Sequence, residues 1–188
     1  LGEFVQDNWH DLINVAQPKG WDYQLRNEPG VELIAQRMAL YGGPDLPLGL
    51  ETDYGFHAGG ALGNVRTYAA TGLTGRIGWD LDSDFGPPRI RPALSGAGTF
   101  TPHQTFGAYL FAGVEGRVVL RDMFLDGNAW RDSPRVSGRN KLVADVQAGA
   151  AVHVSNVQVA FTYVHRTEEF QRQDSPQRFG AVSVSIAY

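Results

Sequence analysis

The chain has 188 residues, carries a net charge of −4 at neutral pH and contains no cysteine. It is long enough for one domain, its charge gives no indication of a nucleic-acid partner, and the lack of cysteine excludes disulfide bonds and thiolate metal sites. No segment approaches the ~20 consecutive apolar residues of a membrane-spanning helix, which leaves open a transmembrane β-barrel, where only alternate residues face lipid.

The chain begins with a helical pattern that differs from the rest of the sequence. Over residues 2–16, apolar side chains recur every three to four positions, and Pro18 and Gly20 follow as helix-ending residues. The stripe beside the apolar one is polar. It contains Gln6 and His10, which are four residues apart, so both side chains should emerge on the same face. A solvated surface helix is the ordinary interpretation of such a histidine.

From residue 31 onward the apolar residues recur with a period of two, which predicts β-strands. Several of these are longer than the ~5–6 residues typical of soluble proteins. Their connections are either short or rich in Gly, Pro and Asp, so we predict consecutive antiparallel strands linked by hairpins. The seven predicted strands span residues 31–41, 51–62, 65–80, 108–121, 142–154, 157–163 and 179–188.

The composition of the two strand faces indicates the environment of the sheet. One face is built from Val, Leu, Ala and aromatic residues, and Trp79, Tyr163 and Tyr188 lie near strand ends, where a membrane barrel has its aromatic girdle. The other face combines small residues with charges of both signs, which suits a narrow polar lumen. We therefore predict an all-β, antiparallel transmembrane barrel. A soluble lipocalin-like barrel or a β-sandwich is the alternative.

The inward face should hold paired charges, because desolvating an unpaired ion costs several kcal/mol. Its histidines are expected to join the same polar networks rather than to act as catalysts. The residues in question are Glu115 and Asp145, predicted to lie near Arg117, Arg121 or Arg76, together with His57 and His153.

An odd number of strands is unusual for this class of protein. Bacterial single-chain barrels have an even number of strands. An open edge in hydrocarbon would leave backbone groups unpaired at several kcal/mol each. Either the count of seven is wrong, or further strands precede the N-terminus of this chain.

Several further stretches of the sequence are distinctive. Residues 5–30 read VQDNWHDLINVAQPKGWDYQLRNEPG, and they are followed along the chain by ALGNVRTYAATGLTGRIGWDL with DFGPPRIRP, GVEGRVVLRDMFLDGN, and VHRTEEFQRQ with QRFGAVSVSIAY. The first stretch resembles the central signature of one protein family, the LpxR-type lipid A deacylases, and the others are similar to that family in the same order, over essentially all 188 residues. These are outer-membrane enzymes that remove the 3′-linked acyloxyacyl group of lipid A.

The resemblance implies a 12-stranded barrel in the outer membrane of a Gram-negative cell. Residues 1–29 would form an extracellular loop helix and its linker, and residues 30–188 about seven C-terminal strands of a single barrel domain. The expected partners are lipid A or lipopolysaccharide and membrane lipids, and the expected state is a monomer. About five N-terminal strands would be absent, so we expect the chain alone to be inactive.

The resemblance also implies roles for particular residues. His10 matches the catalytic histidine, the expected general base that activates water, and Gln6 matches a substrate-contacting glutamine. The family's Asn-Asp pair and its calcium ion are expected to belong to the absent strands, so the metal ligands are not identified in this chain. A family carboxylate falls near residues 14–17, where Gln17 is the candidate replacement.

The alternative function is a non-catalytic outer-membrane barrel with a structural or pore role. The discriminating feature is the N-terminal helix, because a pore needs no rim helix with a histidine in its polar stripe. The remaining polar candidates have ordinary interpretations as solvated histidines, rim carboxylates or exposed loop cations: His103, His165, Glu168, Glu169, Lys19, Arg26, Arg131 and Arg135.

Overall fold

The computed structural model describes residues 2–12, 23–86 and 100–188. The helices are α1 (Gly2–Leu12) and the single-turn α2 (Met123–Asp126), and 3₁₀ turns occupy Pro47–Gly49 and Leu81–Ser83. The strands are β1 (Glu32–Gly42), β2 (Glu51–Gly63), β3 (Arg66–Trp79), β4 (Phe106–Asp122), β5 (Leu142–Val154), β6 (Val157–Arg166) and β7 (Gln177–Ile186). In these ranges, no helix is both long enough and apolar enough to cross a membrane.

The seven strands form one antiparallel sheet in chain order, with each strand paired to the next. The predicted number, order and direction of the strands are confirmed. β1 and β7 are the two edges of the sheet, which is open over the described residues. The strand predicted at residues 31–41, which alternate poorly in sequence, corresponds to β1 (Glu32–Gly42), and every residue of β1 pairs with β2.

The two ends of the sheet differ in their connections. We call the upper end the one at which segment 23–31 leads into β1; its connections are residues 64–65, 123–141 and 167–176. The connections at the opposite, lower end are residues 43–50, 80–105 and 155–156.

Alternate residues separate a buried polar face from an exposed apolar face. The buried residues include His57, Thr74, Arg76, His153, Gln158 and Thr162, and the exposed residues include Leu33, Leu62, Leu73, Leu110, Val146 and Val184. A soluble barrel or sandwich would have the opposite arrangement, because the burial of apolar surface is what stabilises it in water. The sheet therefore turns its apolar face outward, as predicted, and the soluble alternative is wrong.

A small apolar cluster lies at the lower end of the sheet. It brings together residues from β4, β5, β6 and the 3₁₀ turn that follows β3: Tyr109, Phe111, Ala151, Ala160 and Leu81. Leu81 is only 2% exposed. The chain after β3 thus turns back against the inward face of the sheet.

Candidate active site

Helix α1 carries the two side chains that the sequence singles out. Gln6 and His10 lie one turn apart on the same face. His10 is partly buried in the last turn of the helix, and Gln6 is exposed. The apolar side chains of the helix are each more than half exposed: Phe4, Val5, Trp9 and Leu12. The helix is therefore an exposed amphipathic element that presents a histidine beside a large apolar surface.

The described helix is shorter than the predicted one. The sequence pattern predicts a helix over residues 2–16, whereas α1 ends at Leu12. Residues 13–22 lie outside the described residues. The helix end at Pro18 and Gly20, and the replacement of a family carboxylate by Gln17, remain predictions.

The segment that leads from the α1 region into β1 is fixed to a loop at the upper end. We call residues 26–31 the strap. The backbone N–H of Arg26 donates to Asn128 Oδ1 at 2.8 Å, and Asn128 Nδ2 donates to the Arg26 carbonyl at 2.8 Å. The Glu28 carboxylate accepts the backbone N–H groups of Ala129, at 3.0 Å, and Trp130, at 3.2 Å. These bonds, chiefly the one from Ala129, hold the pKa of Glu28 below its ordinary value.

Asn64, in the β2–β3 turn, holds the other end of the strap. Val31 donates its backbone N–H to Asn64 Oδ1 at 2.7 Å, and Asn64 Nδ2 donates to the Pro29 carbonyl at 2.8 Å. Arg121 joins the two anchoring points, because it donates to the carbonyls of Asn64, at 3.0 Å, and Gly127, at 2.8 Å. The strap therefore spans two separate connections of the upper end.

A network of paired charges lies on the inward face toward the upper end. The Asp145 carboxylate accepts hydrogen bonds from the guanidinium groups of Arg117 and Arg166, all at 2.9 Å. Arg117 lies 3.7 Å from Glu115, and Glu115 lies 2.8 Å from Nε2 of the buried His57. The predicted pairing of Glu115 and Asp145 with Arg117 is confirmed, as is the placement of His57 in a lumen network.

The prediction named Arg76 and Arg121 as alternatives to Arg117, and these two arginines have other partners. Arg76 pairs with Asp53, its direct cross-strand neighbour, through Nε at 2.9 and 3.0 Å. Arg121 donates to backbone carbonyls rather than to a carboxylate. Register decides both cases, because Arg76 lies far along β3 from the row of Glu115, and Arg121 lies where β4 leaves the sheet.

A second buried network lies at the lower end. Arg76 donates to the Asp84 carbonyl at 3.1 Å. The Asp84 carboxylate accepts the Tyr109 hydroxyl and, at 3.1 Å, Gln158 Nε2. Burial raises the pKa of Asp84. The network joins the chain after β3 to β4 and β6.

The neighbouring lower-end contacts involve the second buried histidine. His153 Nε2 lies 2.9 Å from Asp80 Oδ2, without the alignment of a hydrogen bond. The same carboxylate accepts the Ser83 hydroxyl and, at 3.2 Å, the backbone N–H of Gln104. His153 therefore has the predicted lumen position, and buried side chains from the turn after β3 occupy the lower end of the polar face.

The remaining candidates are spread over the rims of the sheet. His103 is exposed, and His165 is partly buried. Glu169 lies 3.6 Å from Arg166 and accepts Gln177 Nε2 at 3.0 Å, whereas Glu168 contributes its backbone carbonyl to Asn140 at 2.8 Å. The two glutamates thus have different partners, which does not suit an acid/base pair. The loop cations Arg26, Arg131 and Arg135 are exposed, as expected. Lys19 lies outside the described residues.

The described residues do not provide a complete site for the calcium ion that the resemblance implies. Among residues 2–12, 23–86 and 100–188, no group of three or more His, Asp or Glu side chains could hold a metal ion. We assign no ligand and no reaction step to calcium in this part of the chain.

Two contacts of the structure are missing from the sequence analysis, and only the first of them could have been found from the alternation of residues. Arg166 completes the Asp145 network, and strict alternation along β6 from Gln158 would have placed it inward. The strap is different, because it is held by side-chain to backbone bonds between segments about 100 residues apart, for example from Arg26 to Asn128. No local pattern encodes such bonds.

The comparisons with known proteins agree with this geometry. A family model described as "Outer membrane protein LpxR" matches residues 1–188. The solved structure of LpxR from Salmonella typhimurium matches with a TM-score of 0.80 at 23% sequence identity, over 100% of this chain and 62% of that one. This likeness confirms the predicted fold class, and it shows that the chain spans about 62% of the length of that protein. No curated protein sequence matches the chain.

Proposed function

Since the chain belongs to the LpxR family of outer membrane proteins, we propose that it is part of a lipid A 3′-O-deacylase. The reaction is hydrolysis of the ester that links the 3′ acyloxyacyl group to the sugar, in the outer leaflet of the outer membrane. The observation that carries the proposal is the presence of Gln6 and His10 on one face of an exposed amphipathic helix.

His10 acts as the general base. A neutral imidazole takes a proton from water as the water oxygen bonds to the ester carbonyl carbon. The bond between that carbon and the sugar oxygen then breaks, and the imidazolium returns its proton to the leaving sugar oxygen. One water is consumed, and the products are an acyloxyacyl acid and a free 3′ hydroxyl. Gln6, one turn earlier on the same face, contacts the substrate.

The apolar surface of α1 supports a lipid substrate. Trp9 is 58% exposed and Leu12 is 74% exposed, beside the polar stripe that holds His10. An interfacial helix of this kind places its apolar side among acyl chains and its polar side at the head groups. A soluble, polar substrate would give no reason for this surface.

The developing oxyanion needs a positive or hydrogen-bonding group. We propose that this group, and the calcium ion of the family, lie on strands that pair with the open edge at β1. On this proposal the 188 residues alone are inactive.

The lower-end contacts do not favour the alternative function of a pore. Ser83 and Leu81 are 1% and 2% exposed, and the carboxylates of Asp80 and Asp84 are buried against β4, β5 and β6. A conducting lumen needs a continuous water-filled path, and these side chains occupy the lower end of the polar face.

The experiment compares lipid A from Gram-negative cells with and without the complete protein. Mass spectrometry should reveal a species that lacks the 3′ acyloxyacyl group only when the protein is present, and the purified protein should give no stable channels in planar bilayers. Unchanged lipid A together with step-like conductance would contradict the proposal and favour a pore.

A further inference from the structure

The connection between β1 and β2 ends in a tight turn with an unusual backbone. We call residues 44–50 the lower turn. The backbone N–H of Leu46 donates to the Leu50 carbonyl at 2.8 Å, which encloses the sequence Pro47-Leu48-Gly49. Leu48 has φ 67° and ψ 21°, and Gly49 has φ 70°. Two successive residues are therefore left-handed, and only one of them is glycine.

A leucine is an unexpected residue at this position. In a turn with proline at the second position, a left-handed third residue is usually Gly or Asn, because a side chain with a Cβ costs free energy there. Packing within the protein does not explain the choice, since Leu48 is 88% exposed. If Leu48 faced water, both the left-handed backbone and the exposed apolar side chain would be unfavourable, and no contact among the described residues would offset them.

The base of the lower turn is well fixed, so the turn projects in a defined direction. Gly43 donates its backbone N–H to the Thr52 carbonyl at 2.7 Å, and the Thr52 hydroxyl donates to the Pro44 carbonyl at 2.7 Å. Asp45 is the only charged residue between positions 43 and 50, and it is exposed. The turn is therefore a rigid, largely apolar projection.

The lower turn is continuous with the outward, apolar face of the sheet. The indole N–H of Trp79, at the lower end of β3, donates to the Leu48 carbonyl at 3.2 Å. Tyr41 and Tyr54 are direct cross-strand neighbours whose rings stack at 5.5 Å, and both are about half exposed. Half-exposed aromatic side chains at strand ends are typical of the membrane interface.

We propose that the lower turn is a membrane anchor whose Leu48 side chain inserts into the phospholipid leaflet at the lower end of the barrel. Lipid removes the exposure of Leu48 to water, which offsets the backbone strain. Trp79, Tyr41 and Tyr54 lie at the interface, and Asp45 stays at the level of the head groups. We choose a phospholipid surface as the partner because the lower turn is continuous with the outward, apolar face of the sheet. The anchor does not depend on the proposed catalytic function.

These 188 residues contain no cysteine, so a cysteine introduced among them can be labelled to test depth directly, once any cysteine in the rest of the complete protein has been replaced by serine. Single variants Leu48→Cys, Leu110→Cys and Asp132→Cys of the complete protein would each be labelled with a nitroxide and reconstituted into phosphatidylethanolamine and phosphatidylglycerol vesicles. Leu110 is 62% exposed on the outward face of β4 and is the control for lipid contact. Asp132 is exposed in the connection between β4 and β5, at the upper end, and is the control for water contact. Collisions with oxygen and with a water-soluble nickel complex would be measured by power saturation.

The proposal predicts that the label at position 48 favours oxygen over the nickel complex severalfold, as the label at position 110 does. A label at position 48 that behaves like the one at position 132 would overturn the proposal. Shielding from both reagents would also overturn it, because it would indicate a protein partner or a second copy of this chain. If Leu48→Cys disturbs the turn, the same measurement can be made with Leu46→Cys, because Leu46 lies in the same turn, directly before Pro47.

Discussion

Each of the two buried histidines on the inward face lies over a glycine of the neighbouring strand. His57 is the cross-strand partner of Gly72, and His153 is the partner of Gly107. A Cβ atom at either glycine would overlap the imidazole ring. The missing side chain is thus what lets the histidine lie flat across the adjacent strand, where His57 reaches Glu115 at 2.8 Å.

Replacing Gly72 should therefore destabilise the sheet. In Gly72→Ala, the new Cβ would overlap the His57 ring and the Val114 carbonyl, so we expect a loss of about 1–3 kcal/mol in the free energy of unfolding. Urea unfolding of the reconstituted protein, followed by tryptophan fluorescence, measures this. Gly116→Ala on the outward face is the matched control, because no atom lies within 4 Å of its added Cβ. Equal stabilities of the two variants would contradict the account.

Asp84 gives a prediction of pH dependence. Burial raises its pKa, so the protonated carboxyl favours the folded state. The contribution is fully present below the ordinary value of 3.8 and is lost as the pH rises through the raised pKa. The side chain of Asn does not titrate, so the Asp84→Asn variant does not lose this stability. The difference in the free energy of unfolding between the variant and the wild type should therefore shift in favour of the variant as the pH rises, and then level off. Urea unfolding over about pH 4–8 tests this. A difference that is independent of pH would show that the carboxyl does not titrate as described.

At the scale of secondary structure, alternation predicts all seven strands but not their register. Period two is a local property of each strand. Register depends on the geometry of each turn, and it decides that Arg76 meets Asp53 rather than Glu115. The sequence therefore predicts which residues lie inward and that they pair, but it leaves several of the partners open.

The candidate site is also only partly predictable from the sequence. The spacing of Gln6 and His10 places both side chains on one helix face, because a helix repeats every 3.6 residues. The strap follows no such period, because Asn128 and Glu28 bind backbone groups of a distant segment. Local periodicity thus predicts that Gln6 and His10 share one face of α1, but not how the following chain is fixed to the upper end.

The strap should become accessible when its anchor is removed. Asn128→Ala deletes the bonds to both backbone groups of Arg26, so limited proteolysis within residues 23–31 should be faster than in the wild type. Asn156→Ala is the control, because it deletes a bond of the same chemistry, to the Ala187 carbonyl at 3.0 Å, at the lower end. Cleavage at the same rate in both variants would show that Asn128 does not hold the strap.

At the scale of the whole molecule, the described residues form a sheet with an apolar outward face and a charged inward face, preceded along the chain by an amphipathic helix. The outward apolar face and the open edges at β1 and β7 suit part of an outer-membrane barrel. The family to which the chain belongs is in agreement with this. The central claim that remains to be tested is that His10 is the general base.

The most direct test is the acyl-chain composition of lipid A from cells that express the complete protein with and without His10→Ala. Loss of a general base typically slows a reaction by about 10²–10⁴-fold, so the 3′ acyloxyacyl group should remain on lipid A in His10→Ala and be removed by the wild type. His103→Ala, which changes an exposed histidine near the lower end, should deacylate as the wild type does, and all three proteins should insert equally into the outer membrane. Full deacylation by His10→Ala would contradict the account.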